Sequence, residues 1–175
     1  MPNESTAVIE QSIAAALPPV FQSVMKLTRL GGQLSRPFFQ TYAHDYSLTL
    51  NEWRVIVLLH ARPGIAAQDV SHYTGIHPMN VSRAVNALRE AGRLTSEPDA
   101  ENHRRQMLTL TAEGTELFEA LYPSAEQQAN GLFSVLSDEE QAVFGEFLDR
   151  LLAQSEVILG EDDSRSGQPV VPSVQ

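Results

Sequence analysis

The sequence predicts a mainly α-helical chain with one small β-hairpin, and three observations carry that prediction. Apolar residues recur at helical spacing over most of the 175 residues. Two capping boxes, Thr49 with Glu52 and Ser137 with Glu140, mark helix starts ahead of apolar runs. Between them, Arg93–Leu110 reads as two short strands around a polar, turn-forming tip.

In chain order, residues 1–8 are polar and expected to be flexible. A short helix over Ile9–Leu17 ends at Pro18–Pro19, and a long one runs from Val20 to Tyr46. Its stripe of Val20, Val24, Leu27, Leu34, Phe38 and Tyr42 keeps helical period across Gly31–Gly32 and Pro37, which should kink or loosen the helix without ending it. The Thr49–Glu52 box opens a helix over Leu50–Ala61. That helix is apolar almost all round through Trp53, Val55, Ile56, Val57, Leu58 and Leu59, and so belongs in the middle of a domain.

From Ile65 a helix of about two turns carries Val70 inward. Gly75 breaks it, and Pro78 opens the next helix. There Val81, Val85 and Leu88 form one buried stripe, which turns Met79, Arg83 and Asn86 outward. After Gly92 the strands Arg93–Glu97 and Gln106–Leu110 flank the tip at residues 98–105. A helix from about Thr111 passes Leu117, Leu121, the breaker Pro123 and Leu132–Phe133. The Ser137–Glu140 box then starts the last helix, Asp138–Leu159, with Val143, Phe147, Leu148, Leu151 and Leu152 on its apolar side. Residues 161–175 are expected to be a disordered acidic tail. A helix-turn-helix followed by a hairpin is a winged helix, here residues 48–111. The flanking helices, 9–46 and 112–159, have the amphipathic character of a dimer interface.

Composition narrows the function. The chain has no cysteine, which excludes disulfides, thiolate metal sites and cysteine redox sensing. No leader, lipidation signal or apolar run of bilayer length is visible, so a cytoplasmic protein without membrane partners is expected. The net charge of −10 seems to oppose binding to a polyanion, but it is segregated. The first 110 residues hold 9 acidic and 10 basic groups, the rest 13 acidic and 2 basic. Arg83, Arg89, Arg93, Arg104 and Arg105 all fall in the proposed reading unit. No Gly-rich phosphate loop, His-Glu-x-x-His or Gly-x-Ser-x-Gly elbow is present, so no enzyme and no cofactor is expected. His44, His60, His72, His77 and His103 have no ligand-type neighbour three or four residues on, which argues against a metal site.

From about Val20 to Leu152 the chain resembles the MarR family of transcriptional regulators. The resemblance rests on Leu48–Val55 entering the second helix, Pro63–Gly64–Ile65 before the helix-turn-helix, and Val81–Ser82–Arg83 within the recognition helix. Leu88–Gly92 closes that helix, and Leu108–Gly114 leaves the wing. It implies a homodimer that binds a pseudo-palindromic double-stranded operator. It also implies release when a small aromatic effector, phenolic or carboxylate, binds between the DNA-reading and dimerisation parts. One departure is Asn102, which stands where the family usually has an acid bracing the wing-tip arginine, here Arg104.

The N-terminal part of a recognition helix enters the major groove, so the expected DNA contacts are His77, Met79, Asn80, Ser82, Arg83 and, one turn on, Asn86. An arginine can fork to guanine, an asparagine can pair with adenine, and a methionine can touch a thymine methyl. At the wing, Arg104 is expected in the minor groove with Arg105 beside it. The family's effector region would bring Arg36, Phe38, Phe39, Tyr42, Trp53 and His60 together, although an aromatic stripe at this spacing also reads as plain core. The expected function is a repressor of a catabolic or stress operon. The competing reading is a winged helix that only binds protein, for which the acidic balance is suited.

Overall fold

A computed structural model describes residues 4–102 and 105–166, with only the backbone described for residues 4, 14, 37–44 and 161–166. The backbone divides into two compact units, residues 1–125 and 126–175.

In the first unit, helices α1 (Glu4–Ala16) and α2 (Pro19–Asp45) precede a winged helix. The winged helix comprises α3 (Leu50–Ala61), β1 (Ile65–Ala66), α4 (Ala67–Thr74), α5 (Pro78–Glu90), β2 (Leu94–Pro98) and β3 (Gln106–Leu110). Helix α6 (Ala112–Phe133) then begins in this unit and runs into the second, which also holds α7 (Asp138–Ser166).

The core lies in the winged helix. Val55, Ile56 and Leu59 of α3 pack with Val70 of α4, the expected stripe of α5 now including Ala84, and Leu94 and Leu108 of the strands. Leu117, Phe118 and Leu121 join the same cluster, so the first half of α6 closes the core of the winged helix. Helix α3 starts at the expected box: the Thr49 hydroxyl accepts from the Glu52 N–H at 3.3 Å, and the Glu52 carboxylate accepts from the Thr49 N–H at 3.1 Å. Glu52 can therefore be buried, because its carboxylate has a partner where water is excluded.

The sheet is antiparallel with order β1-β3-β2. Leu94 pairs with Leu110 and Ser96 with Leu108, while Ile65 on the far side also faces Leu108. The sequence reading has no β1. Two residues are too short for alternation to register, and the strand exists because β3 offers its open edge to the chain entering α4. Strand β2 starts at Leu94, one residue later than expected, because the Arg93 N–H is spent on the Leu88 carbonyl at the end of α5.

The helices at both chain ends run past their expected bounds. Helix α1 begins at Glu4, ahead of the expected Ile9, with no proline or glycine between Glu4 and Ala16 to oppose it. Helix α7 continues through residues 161–166, the start of the expected disordered tail, because a lone Gly160 costs only about 1 kcal/mol and does not stop a helix. Residues 167–175 lie outside the described residues. Helix α2 runs unbroken past Gly31, Gly32 and Pro37.

In the second unit the box at Ser137 is formed. Its hydroxyl accepts from the Glu140 N–H at 3.2 Å, and the Glu140 carboxylate accepts from the Ser137 N–H at 2.8 Å. Gln141 turns its amide back to the carbonyls of Phe133 and Leu136, and the rings of Phe133 and Phe144 meet at 6.1 Å. Val143, Phe147, Leu151 and Leu152 are exposed along α7.

Candidate nucleic-acid interface

The turn between α4 and α5 is built by side chains. Gly75 takes the left-handed conformation at φ 66°, which spares the strain a Cβ would bring. The Ser71 hydroxyl donates to the Ile76 carbonyl at 2.7 Å, and the Thr74 hydroxyl accepts from the Ile76 N–H at 3.3 Å. Ile76, itself buried, pins the turn to the core.

Helix α5 then starts with Pro78 in its first turn, and the His77 Nδ1 accepts from the Met79 N–H at 3.3 Å. His77, expected on DNA, is thus a helix cap. Because Val81, Ala84, Val85 and Leu88 face the core, Met79, Asn80, Ser82, Arg83 and Asn86 all lie exposed on the opposite side. Met79 is 60% exposed on that face. Asn86 is held by Arg89, whose guanidinium donates to its carbonyl oxygen at 2.7 Å. Sequence reasoning missed that link and also Tyr73, which is 78% exposed on α4 beside the turn.

The wing tip closes on itself. The Asp99 carboxylate accepts from the Glu101 N–H at 2.8 Å, and the Asp99 N–H donates to the Arg105 carbonyl at 2.9 Å. Arg104, expected in the minor groove, lies outside the described residues, as does His103. Arg105, expected on DNA, pairs its guanidinium with Asp69 on α4. Desolvation, the largest influence on the Asp69 carboxyl, works to raise its pKa. The hydrogen bond from the Ala66 N–H and the Arg105 guanidinium outweigh it and hold that carboxyl below its ordinary value.

At the wing base, Arg93 donates to the Tyr46 carbonyl at 3.2 Å, and the Thr111 hydroxyl donates to the Gly92 carbonyl at 2.7 Å. Gly114 passes so close to this joint that a Cβ there would lie 2.1 Å from the Arg93 carbonyl oxygen.

Of the expected effector residues, the structure brings two together. Phe118 stacks on His60, centroids 3.7 Å apart, and on Trp53 at 5.9 Å, while Tyr122 stacks on Phe118 at 5.0 Å. Arg36 is exposed on α2, and the side chains of Phe38, Phe39 and Tyr42 lie outside the described residues. Phe118 and Tyr122 were legible only as part of the helical pattern after the wing. Among the described residues no three His, Asp or Glu side chains gather as metal ligands would, and no helix is long and apolar enough to cross a membrane.

A helix-turn-helix with an exposed polar face on its second helix, followed by the β2–β3 wing whose sheet is completed by β1, defines a winged-helix protein. Residues 46–105 match the model of the MarR family. The chain is 23% identical over 167 residues to the HTH-type transcriptional regulator Hpr of Exiguobacterium sibiricum, covering 82% of this chain and 88% of that one. Its fold superposes on a MarR/EmrR family regulator from Acinetobacter sp. ADP1 with a TM-score of 0.72 at 21% identity, covering 80% and 99% of the two chains. It also superposes on BpsR of Bordetella bronchiseptica, whose DNA binding is regulated by 6-hydroxynicotinic acid, with a TM-score of 0.61 at 26% identity and 74% and 98% coverage. Over residues 46–105 the chain is thus similar to the MarR family of transcriptional regulators, and over 80% of its length it shares the fold of a MarR/EmrR regulator.

Proposed function

We propose that the protein is a homodimeric repressor that binds a pseudo-palindromic operator in the cytoplasm and releases it when a small aromatic acid binds. The observation that carries the DNA half is the outer face of α5. Asn80, Ser82, Arg83 and Asn86 stand exposed there with Met79, while the inner face is locked into the core. Arg83 and the asparagines are the base readers, Ser82 and the His77 end of the helix hold phosphate, and Arg104 serves the minor groove.

Reading two successive major grooves requires two recognition helices about 34 Å apart, hence two copies of the chain. In the first unit exposed Val20, Val24 and Leu27 on α2, and in the second exposed Phe147, Leu151 and Leu152 on α7, are each apolar faces that a partner copy would cover. Effector binding is supported by the Trp53–Phe118–His60–Tyr122 stack, with Arg36 as the expected partner of a carboxylate. The related BpsR, regulated by an aromatic acid, fits this reading.

The test is a gel shift on the DNA upstream of the protein's own gene, at two salt concentrations and with a panel of aromatic acids. Specific retardation that weakens steeply with salt and is abolished by one acid is expected. A folded dimer that retards no DNA at low salt would favour a protein-binding winged helix instead. Within this reading Arg83→Ala should cost roughly 1–3 kcal/mol at one operator position and loosen specificity there. Equal loss on scrambled DNA would make Arg83 a phosphate contact.

A further inference from the structure

Asp69 joins three parts of the reading unit. Its carboxylate accepts from the Ala66 N–H at 3.2 Å, which ties the first turn of α4 to β1. Ala66 in turn stands opposite Met107, the second residue of β3 from the tip, so the tip end of the wing's strands lies beside α4. Just before β3, Arg105 reaches across 36 residues of sequence to the same Asp69 oxygen. Beyond Arg105, the tip is closed through its main chain, with the Arg105 N–H donating to the Asn102 carbonyl at 2.8 Å and its own carbonyl accepting from Asp99. Position 102, where the family resemblance leads one to expect a charged brace inside the wing, is a neutral asparagine.

We propose that Asp69 is a positioning residue for DNA recognition, which holds Arg105 and thereby sets the wing tip at a fixed distance from the recognition helix. The proposal rests on the DNA-binding reading above. Its rival is that Arg105 is a phosphate contact that happens to rest on Asp69, and the two predict opposite signs. Removing an acid from a DNA-facing surface should tighten binding to any duplex if it only frees a cation. Removing a positioning residue should weaken the specific complex despite the more favourable charge.

Asp69→Asn keeps an acceptor for the Ala66 N–H while discarding the charge that holds Arg105. Two measurements on the full chain are compared: amide hydrogen exchange of the free protein, and binding to a duplex selected by the wild-type protein from a random library, against a scrambled duplex of the same composition. Exchange should quicken in the wing and not in α3 or α5. The ratio of selected to scrambled affinity should fall about three- to ten-fold, Arg105→Gln should do the same, and the double variant should lose no more than either single one. Tighter binding of both duplexes by Asp69→Asn would overturn the proposal in favour of the phosphate contact. Unchanged wing exchange would overturn it whatever the DNA does. If the wild-type protein selects no duplex, the DNA-binding reading fails first and takes the positioning role with it, a failure seen before any variant is compared.

Discussion

The winged helix and the helices that flank it solve the same problem in different ways. In the winged helix, apolar side chains from α3, α4, α5, the sheet and the first half of α6 bury one another. In α1, α2 and α7, apolar residues with equally regular spacing remain exposed: Ile9, Val24, Leu27 and Leu34 at one end, Phe147, Leu151 and Ile158 at the other. Periodicity alone does not separate the two, because it records that a face is apolar and not what covers it. The difference teaches that the winged helix buries its own apolar stripes, whereas the flanking helices leave theirs uncovered within a single chain.

The sharpest way to break that comparison is a pair of equal truncations. Leu88→Ala removes a side chain that is 0% exposed and should lower unfolding free energy by about 2–5 kcal/mol in urea titration. Leu151→Ala removes one that is 57% exposed and should leave the dilute chain within about 0.5 kcal/mol. Its effect should appear instead as a weaker dependence of melting temperature on protein concentration. Equal losses at both sites in dilute solution would erase the distinction.

Gly114→Ala comes next. The Cβ would collide with the Arg93 carbonyl, so the helix or the wing base must move, at about 1–3 kcal/mol, read as a lower urea midpoint. Thr49→Ala should cost about 1 kcal/mol in the same titration by uncapping α3, and Ser137→Ala in the exposed cap of α7 less.

The smallest effect is one of pH. The Asp69 carboxyl sits below its ordinary 3.8 in the folded chain, so its contribution is complete above that value and is lost as pH falls through the lower folded one. The pair is exposed, so the contribution is about 0.2–1 kcal/mol. The stability gap between wild type and Asp69→Asn should therefore close in acid below about pH 3.8 and stay constant from pH 5 to 7, and a gap that persists in acid would remove the charge pair from the account.

Much of this architecture was legible beforehand because local rules were strong. The Thr49 and Ser137 boxes, Gly75 and Pro78 mark helix ends through main-chain chemistry that needs no tertiary context. The outward face of α5 followed from three apolar positions. What stayed hidden depends on contacts between distant segments. Strand β1 is two residues long and exists only by pairing with β3, the Arg105–Asp69 link spans 36 residues, and the stack of Phe118 on His60 joins two helices. The stop of α7 was misplaced for a different reason, since acidic composition argues for solvation and not against helix.

The cap at His77 fixes more than the start of a helix. A ring whose Nδ1 accepts the Met79 N–H carries its proton on Nε2 when neutral, so its outer edge offers a donor. The entrance to α5 thus has a built-in polarity. An acceptor such as a phosphate oxygen or a purine N7 is matched there, and another donor is turned away.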